Sequence, residues 1–207
     1  MTRIVGQRLA AVAPRRTLLI FLFAQVIFSG AAVAHTEGGI AGGFAAGFTH
    51  PLFGWDHVVA MVAVGLWGAF LGMPAIYILP IVFPLVMVLG GVLGILGVPV
   101  PFVETGIAMS AIVLGLLVAL AVRAPNWIAA VVVGIFAIFH GHAHGTELPG
   151  AANAVAYSAG FVTATGLLHL TGIGFGMLTK WPQGNWIVRG GGIAIACVGV
   201  FFLIRPA

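Results

Sequence analysis

Residues 139–147 read FHGHAHGTE and end an otherwise apolar segment with three imidazoles and one carboxylate. The run before them, residues 128–139, carries no charge, so the histidines are expected at a membrane boundary or just inside it. If a helix continues through the stretch, His140, His144 and Glu147 share one face because they are spaced by four and three residues. His142 falls about 200° round that helix from His140 and is expected to point elsewhere. The shared face can present two imidazole nitrogens and a carboxylate oxygen to one cation.

The composition is that of an integral membrane protein. Of the 207 residues, 61% are hydrophobic and only 6% are charged, and the mean hydropathy is +1.20. The net charge is +4, but four of the eight basic residues lie in the first sixteen, which indicates a targeting segment and not a nucleic-acid-binding surface. The single cysteine, Cys197, excludes an intramolecular disulfide and a thiolate cage, so a metal site must use nitrogen and oxygen ligands.

Residues 1–34 read as a signal peptide. Four arginines precede an apolar run at residues 18–28, and Ala-Val-Ala at residues 32–34 forms a small-residue cleavage site. Cleavage after Ala34 would make His35 the mature N-terminus, whose amine and imidazole form a natural chelate. The alternative is that residues 1–34 form an uncleaved membrane anchor. Both interpretations place residue 35 outside the cytoplasmic membrane.

The rest of the chain, residues 35–207, is predicted to be a single transmembrane domain of six helices. The fold class is therefore all-α, a polytopic membrane helix bundle behind a signal peptide. The spans are expected at 51–71, 75–96, 102–122, 126–144, 151–172 and 186–204, and residues 38–49 either extend the first or form a re-entrant piece. With the mature N-terminus periplasmic, this path puts Arg123, Lys180 and Arg189 on the cytoplasmic side and only Arg205 outside, which agrees with the positive-inside bias.

A second polar cluster, HPLFGWDH at residues 50–57, lies at the outer end of the first predicted span. Ionisable residues in a transmembrane segment are costly and usually face a partner or a cavity. Because the fourth span runs outward, its histidines should meet His50, Asp56 and His57 at the same end of the bundle, where Glu104 begins the third span. Neutral imidazoles with carboxylates suit divalent nickel, cobalt, zinc, copper or iron. The general order of metal affinities does not decide which of these five ions is bound.

His169 lies near the cytoplasmic end of the fifth predicted span. Two interpretations stay open for it: a metal ligand on the way out, or a histidine hydrogen-bonded between helices. His35 and Glu104 are, like His169, further candidates along a metal path.

The two motifs, His-Pro-x-x-Gly-x-Asp-His at residues 50–57 and Phe-His-Gly-x-Ala-His-Gly-x-Glu at residues 139–147, resemble those of the HupE/UreJ family of bacterial membrane proteins. The resemblance covers essentially the whole mature chain. VETGIAMS at residues 103–110, with Glu104, and ATGLLH at residues 164–169, with His169, fit the pattern as well.

The resemblance implies uptake of nickel, or sometimes cobalt, across the bacterial cytoplasmic membrane to serve hydrogenase or urease maturation. The link to the maturation proteins would be indirect. The transported ion would be Ni²⁺ or Co²⁺, with no permanently bound cofactor. Carried over position by position, the resemblance marks the following metal-binding residues: His50, Asp56, His57, His140, His144 and Glu147.

The leading hypothesis is a permease and not an enzyme. The sequence has no Walker-type Gly-rich loop, so transport would be driven by an ion gradient, the membrane potential or a partner. One alternative is a membrane-embedded metalloenzyme with Glu147 or Asp56 as the base, and a tightly held zinc or di-iron centre would reveal it. Another is a haem protein with two facing axial histidines, which a Soret band would reveal.

Overall fold

The computed structural model describes residues 40–147 and 153–205. The predicted signal peptide and His35 lie outside these ranges. Within them the secondary structure is entirely helical, as predicted, and no strand occurs in the described part of the chain. The seven helices are α1 (Ile40–Phe53), α2 (Trp55–Leu71), α3 (Ala75–Ile95), α4 (Val103–Ala119), α5 (Asn126–Thr146), α6 (Ala154–Gly176) and α7 (Gly184–Ile204). A short 3-10 helix, Met177–Lys180, extends α6.

Four helices are long and apolar enough to cross a membrane: α3, α5, α6 with its extension, and α7. The pair α1 and α2 makes a fifth candidate if the two are one broken span. Helix α4 is apolar but has only 17 residues. It is shorter than the predicted 102–122 because left-handed residues stand beyond both ends, Phe102 at φ 58° and Ala121 at φ 56°.

The first predicted span, 51–71, is not one straight helix. The chain bends by 82° between α1 and α2, and Gly54 takes an extended conformation at the bend with φ −84° and ψ 101°. Pro51, in the last turn of α1, has no amide hydrogen to give to the helix. Of the stretch 38–49, whose role the sequence left open, the described residues 40–49 therefore belong to a separate helix that continues to Phe53. The bend puts His50 at the end of α1 and Asp56 and His57 in the first turn of α2.

Glycines let the helices pack in close pairs. In α5, Gly141 and Gly145 lie directly against the backbone carbonyls of Met87 and Gly91 in α3. Residue numbers rise together along this contact, so α3 and α5 run in the same direction. Helices α2 and α6 form a second parallel pair, in which Gly65 lies against the carbonyl of His169.

Helix α4 packs against α7 in the opposite direction. Gly115 of α4 contacts Gly192 and Ala196 of α7, whereas the later residue Gly199 contacts Ile112. These directions are the ones expected if the bent pair α1 and α2 counts as one element and successive elements alternate in direction.

The end of the bundle opposite the histidine motifs is held by two hydrogen bonds to backbone carbonyls and one cation–π contact. The indole of Trp67, fully buried, donates from Nε1 to Val122 O at 3.2 Å. Arg189 donates from Nε to Ala119 O at 2.7 Å, and Arg123 lies 5.2 Å from the centre of the Phe70 ring. These contacts fix the ends of α2, α4 and α7 relative to one another.

Candidate metal centre

Four histidines from three helices meet at one end of the bundle. His50 ends α1, His57 begins α2, and His140 and His144 lie in the last two turns of α5. The ring centre of His144 lies 4.9 Å from that of His50 and 4.5 Å from that of His57. The ring centres of His57 and His140 are 4.9 Å apart. The predicted convergence of the two motifs is therefore present in the structure.

His50, His144 and Glu147 form the more exposed part of the cluster, which we name the outer triad. One ligand atom from each residue lies within 4.8 Å of the others, a spacing that could hold a metal ion. The Nε2 atom of His50 is 3.7 Å from a carboxylate oxygen of Glu147, whose side chain is 59% exposed. The outer triad thus faces the end of the bundle with a carboxylate that water can reach.

His57, His140 and His144 form a deeper group, which we name the inner triad. The Nδ1 atom of His57 lies 2.9 Å from Oδ1 of Asp56. An ionised carboxylate only accepts hydrogen bonds, so Nδ1 of His57 carries the hydrogen. In the neutral ring Nε2 then holds the lone pair, and this atom is buried with no partner among the described residues. Asp56 therefore orients His57 as second-sphere carboxylates orient metal-binding histidines.

Ser110 sets the orientation of His140 in a similar way. Its hydroxyl donates to the Ile107 carbonyl at 2.6 Å and lies 3.0 Å from Nε2 of His140. Because the serine hydrogen is used, Nε2 of His140 must be the donor to the serine oxygen, which leaves the lone pair on Nδ1. That Nδ1 atom is buried and has no partner in the described chain, and the residue is 0% exposed. Ser110 was not among the residues predicted from the sequence, where a hydroxyl inside an apolar helix was the available sign.

His144 belongs to both triads. Both of its ring nitrogens are buried, and neither has a hydrogen-bond partner within the described residues. The ring packs against Phe161 of α6, with ring centres 4.3 Å apart, and this contact fixes its position. A buried polar atom without a partner costs about 1–3 kcal/mol, and a metal ion would supply the missing partner. His144 can offer one nitrogen to each triad.

The remaining candidates lie outside both triads. His142 donates from Nε2 to Val98 O at 2.8 Å, so it points away from the cluster as its helical position predicts. Glu104 is exposed and lines a separate cleft of about 170 Å³ together with Asp56. His169 is buried in α6 and donates from Nδ1 to Met61 O at 2.8 Å, which is the interhelical hydrogen bond that one interpretation predicted. His35 lies outside the described residues.

Comparison with known proteins agrees with the motifs. The family model described as HupE / UreJ protein matches residues 22–202. Protein HupE of Rhizobium leguminosarum bv. viciae is 49% identical over 173 residues, which cover 83% of this chain and 91% of the relative. No solved structure matches the chain. A match of this extent, with both histidine motifs inside it, shows that the chain belongs to the HupE/UreJ family.

Proposed function

We propose that the chain carries Ni²⁺, with Co²⁺ as the alternative cargo, across the bacterial cytoplasmic membrane to supply hydrogenase or urease maturation. The observation that carries the proposal is the cluster of four histidines, flanked by Glu147 and Asp56, at one end of an apolar bundle. Membership of the HupE/UreJ family favours transport over the alternative of a membrane-embedded metalloenzyme.

The ligand chemistry of the two triads suits a borderline divalent ion. Imidazole nitrogen is a good ligand for nickel and cobalt, while a site without thiolates is a poor one for copper(I). Each triad supplies only three protein ligands, so the ion would keep water molecules in its remaining positions. Such a site binds strongly enough to select an ion and weakly enough to release it.

The two triads differ in exposure, which suggests an order of events. The outer triad, with exposed Glu147, would capture the hydrated ion. The inner triad, with buried His140, would strip part of its water shell. Because His144 belongs to both, the ion can pass from one triad to the other while it stays bound to one protein ligand. This transfer between the triads does not release a free divalent charge into the apolar core, where its cost would be highest.

The proposed topology has six spans with the mature N-terminus periplasmic. It counts the bent pair α1 and α2 as the first span and α4 as the third. The 17 residues of α4 extend about 25 Å, close to the thickness of a hydrocarbon core of about 30 Å. The cluster would then face the periplasm, and a secondary transport mechanism without ATP would move the ion inward.

Uptake of ⁶³Ni²⁺ into proteoliposomes that contain the purified chain and no ATP tests this function. An imposed inside-negative potential should drive accumulation that empty liposomes do not show. Excess Co²⁺ should compete, whereas Mg²⁺ should not, because magnesium prefers oxygen ligands. Equal accumulation in empty and protein-containing liposomes would refute the proposal.

Asp56→Asn is expected to lower the apparent affinity of uptake for nickel by about 10–100-fold. This is the usual effect of removing the partner that orients a ligand histidine. The amide loses the negative charge that favours a hydrogen on Nδ1 of His57, so Nε2 is no longer held as the free nitrogen. The measurement is the ⁶³Ni²⁺ concentration that gives half-maximal uptake.

Thr49→Val is the matched control for Asp56→Asn. Thr49 precedes His50, but its hydroxyl is exposed and bonds to Ala45 O of its own helix at 2.8 Å. Wild-type uptake is expected for this variant. If Asp56→Asn also kept the wild-type affinity, Asp56 would have no part in orienting His57 for metal.

A further inference from the structure

Two buried polar side chains lie on α6 beyond the inner triad and have no part in the site described so far. Thr165 is 0% exposed and His169 is 1% exposed. Their positions differ by four residues, so they lie one helical turn apart on the same face. The Oγ1 atom of Thr165 and the Nε2 atom of His169 each lack a hydrogen-bond partner in the described part of the chain.

The free nitrogen of His169 is one that could bind a metal. Its Nδ1 atom bonds to the carbonyl oxygen of Met61, which can only accept, so Nδ1 carries the hydrogen. The lone pair of the neutral ring is then on Nε2. This is the arrangement of a metal-binding histidine whose second nitrogen is fixed by a backbone carbonyl.

The hydroxyl of Thr165 differs from its neighbours on the same helix. Thr163 and Thr171 bond back to Ala159 O at 2.7 Å and to Leu167 O at 2.9 Å, as threonines in helices commonly do. Both of these are exposed, whereas Thr165 is buried and makes no such bond. In an apolar bundle this free hydroxyl is costly unless another group binds it.

The position of the pair places it on the way inward from the cluster. Phe161, which packs on His144, lies one turn before Thr165 and two turns before His169. A step of four residues advances about 6 Å along the helix axis. The ring of Phe83 lies between His140 and His169. Its centre is 5.5 Å from the ring centre of His140 and 5.4 Å from that of His169.

We propose that Thr165 Oγ1 and His169 Nε2 form an inner binding position for the transported divalent cation, which the ion reaches from His140 past Phe83. The inference rests on the proposed function and deepens it. One nitrogen and one hydroxyl oxygen make a weaker site than either triad, and water completes the coordination. A ligand set that weakens along the path favours release of the ion toward the cytoplasm.

The hydrogen bond to Met61 could by itself explain a buried histidine, so the test must keep that bond. His169→Asn does so, because its amide can donate to the Met61 carbonyl from about the place of Nδ1 while nothing replaces Nε2. Thr165→Val keeps the shape of the side chain and removes the oxygen. Thr163→Val, on the same helix, is the matched control.

Initial rates of ⁶³Ni²⁺ uptake should fall about tenfold or more in His169→Asn and in Thr165→Val, the scale expected for a weakened metal site. Thr163→Val should match the wild type. All three purified proteins should keep the wild-type melting temperature and the wild-type affinity of the outer triad for ⁶³Ni²⁺. Wild-type uptake rates in both His169→Asn and Thr165→Val would overturn the proposal. It would also be overturned if uptake slowed only in variants whose melting temperature had fallen, because the defect would then follow from lost stability.

Failure of transport itself would be recognised separately, because the wild-type chain would then take up no nickel. The inner position would in that case be judged by equilibrium binding of ⁶³Ni²⁺ to purified protein. A His144→Ala chain, which lacks the residue shared by both triads, should retain weak binding that adding His169→Asn lowers. Equal binding by the single and double variants would overturn the inner position.

Discussion

His144→Ala is expected to reduce nickel uptake by at least about 100-fold, the largest effect of any single side-chain change in the cluster. The substitution removes a ligand from the outer and inner triads together, and weakening even one metal ligand costs about 10–100-fold in affinity. It also removes the group through which an ion passes between the triads without leaving the protein. The measurement is the initial rate of ⁶³Ni²⁺ uptake, corrected for the amount of protein in the membrane.

His142→Ala is the matched control, because it removes an imidazole from the same turn of α5. His142 is also buried but bonds to Val98 O outside the cluster. Its loss should cost about 1 kcal/mol of stability and leave the uptake rate near that of the wild type. If the two variants were equally impaired, the uptake defect would report the integrity of α5 and not metal binding.

The sequence predicted the part of this site that depends on local geometry. The spacing of His140 and His144 placed them on one face of a helix, and the same spacing turned His142 away. The meeting of the two motifs followed from the alternating directions of successive spans, which only requires that helices cross an apolar layer. The family resemblance pointed to the same residues.

The parts that the sequence did not predict depend on packing between distant segments. Hydropathy predicted one span at 51–71, whereas the 82° bend that separates α1 from α2 depends on what each helix packs against. Ser110 lies 30 residues before His140, and only the packing of α4 against α5 brings them together. The free hydroxyl of Thr165 likewise becomes informative only when its burial is known.

The two glycines of the second motif are explained by packing and not by metal chemistry. Gly141 follows His140, and Gly145 follows His144, on the side of α5 that meets α3. A β-carbon on Gly141 would overlap the backbone carbonyl of Met87, and one on Gly145 would overlap that of Gly91. These obstacles are backbone atoms, which cannot move aside as the end of a flexible side chain can. The motif therefore combines metal-ligand side chains on one face of α5 with glycines on another face, where the backbone of α3 packs closely.

Gly141→Ala is accordingly expected to lower both the stability of the protein and its nickel uptake. The added methyl group must push α3 and α5 apart, and overpacking of this kind typically costs about 1–3 kcal/mol. Because His140 and His144 flank the contact, the same shift displaces two ligands of the inner triad and one of the outer triad. Uptake is expected to fall to the level of His144→Ala, together with a lower melting temperature in detergent.

Gly134→Ala provides the matched control for Gly141→Ala, two turns earlier on the same helix. A β-carbon there would meet only the side chains of Val82 and Val86, at 3.7 Å or more, which is an ordinary van der Waals distance. Since alanine favours a helix over glycine by about 1 kcal/mol, this variant should be as stable as the wild type or slightly more so, with unchanged uptake. A Gly141→Ala protein that melted and transported like Gly134→Ala would mean that α3 and α5 do not approach as closely as their backbone contact indicates. The ligands of the two triads would then be held by something other than this helix pair.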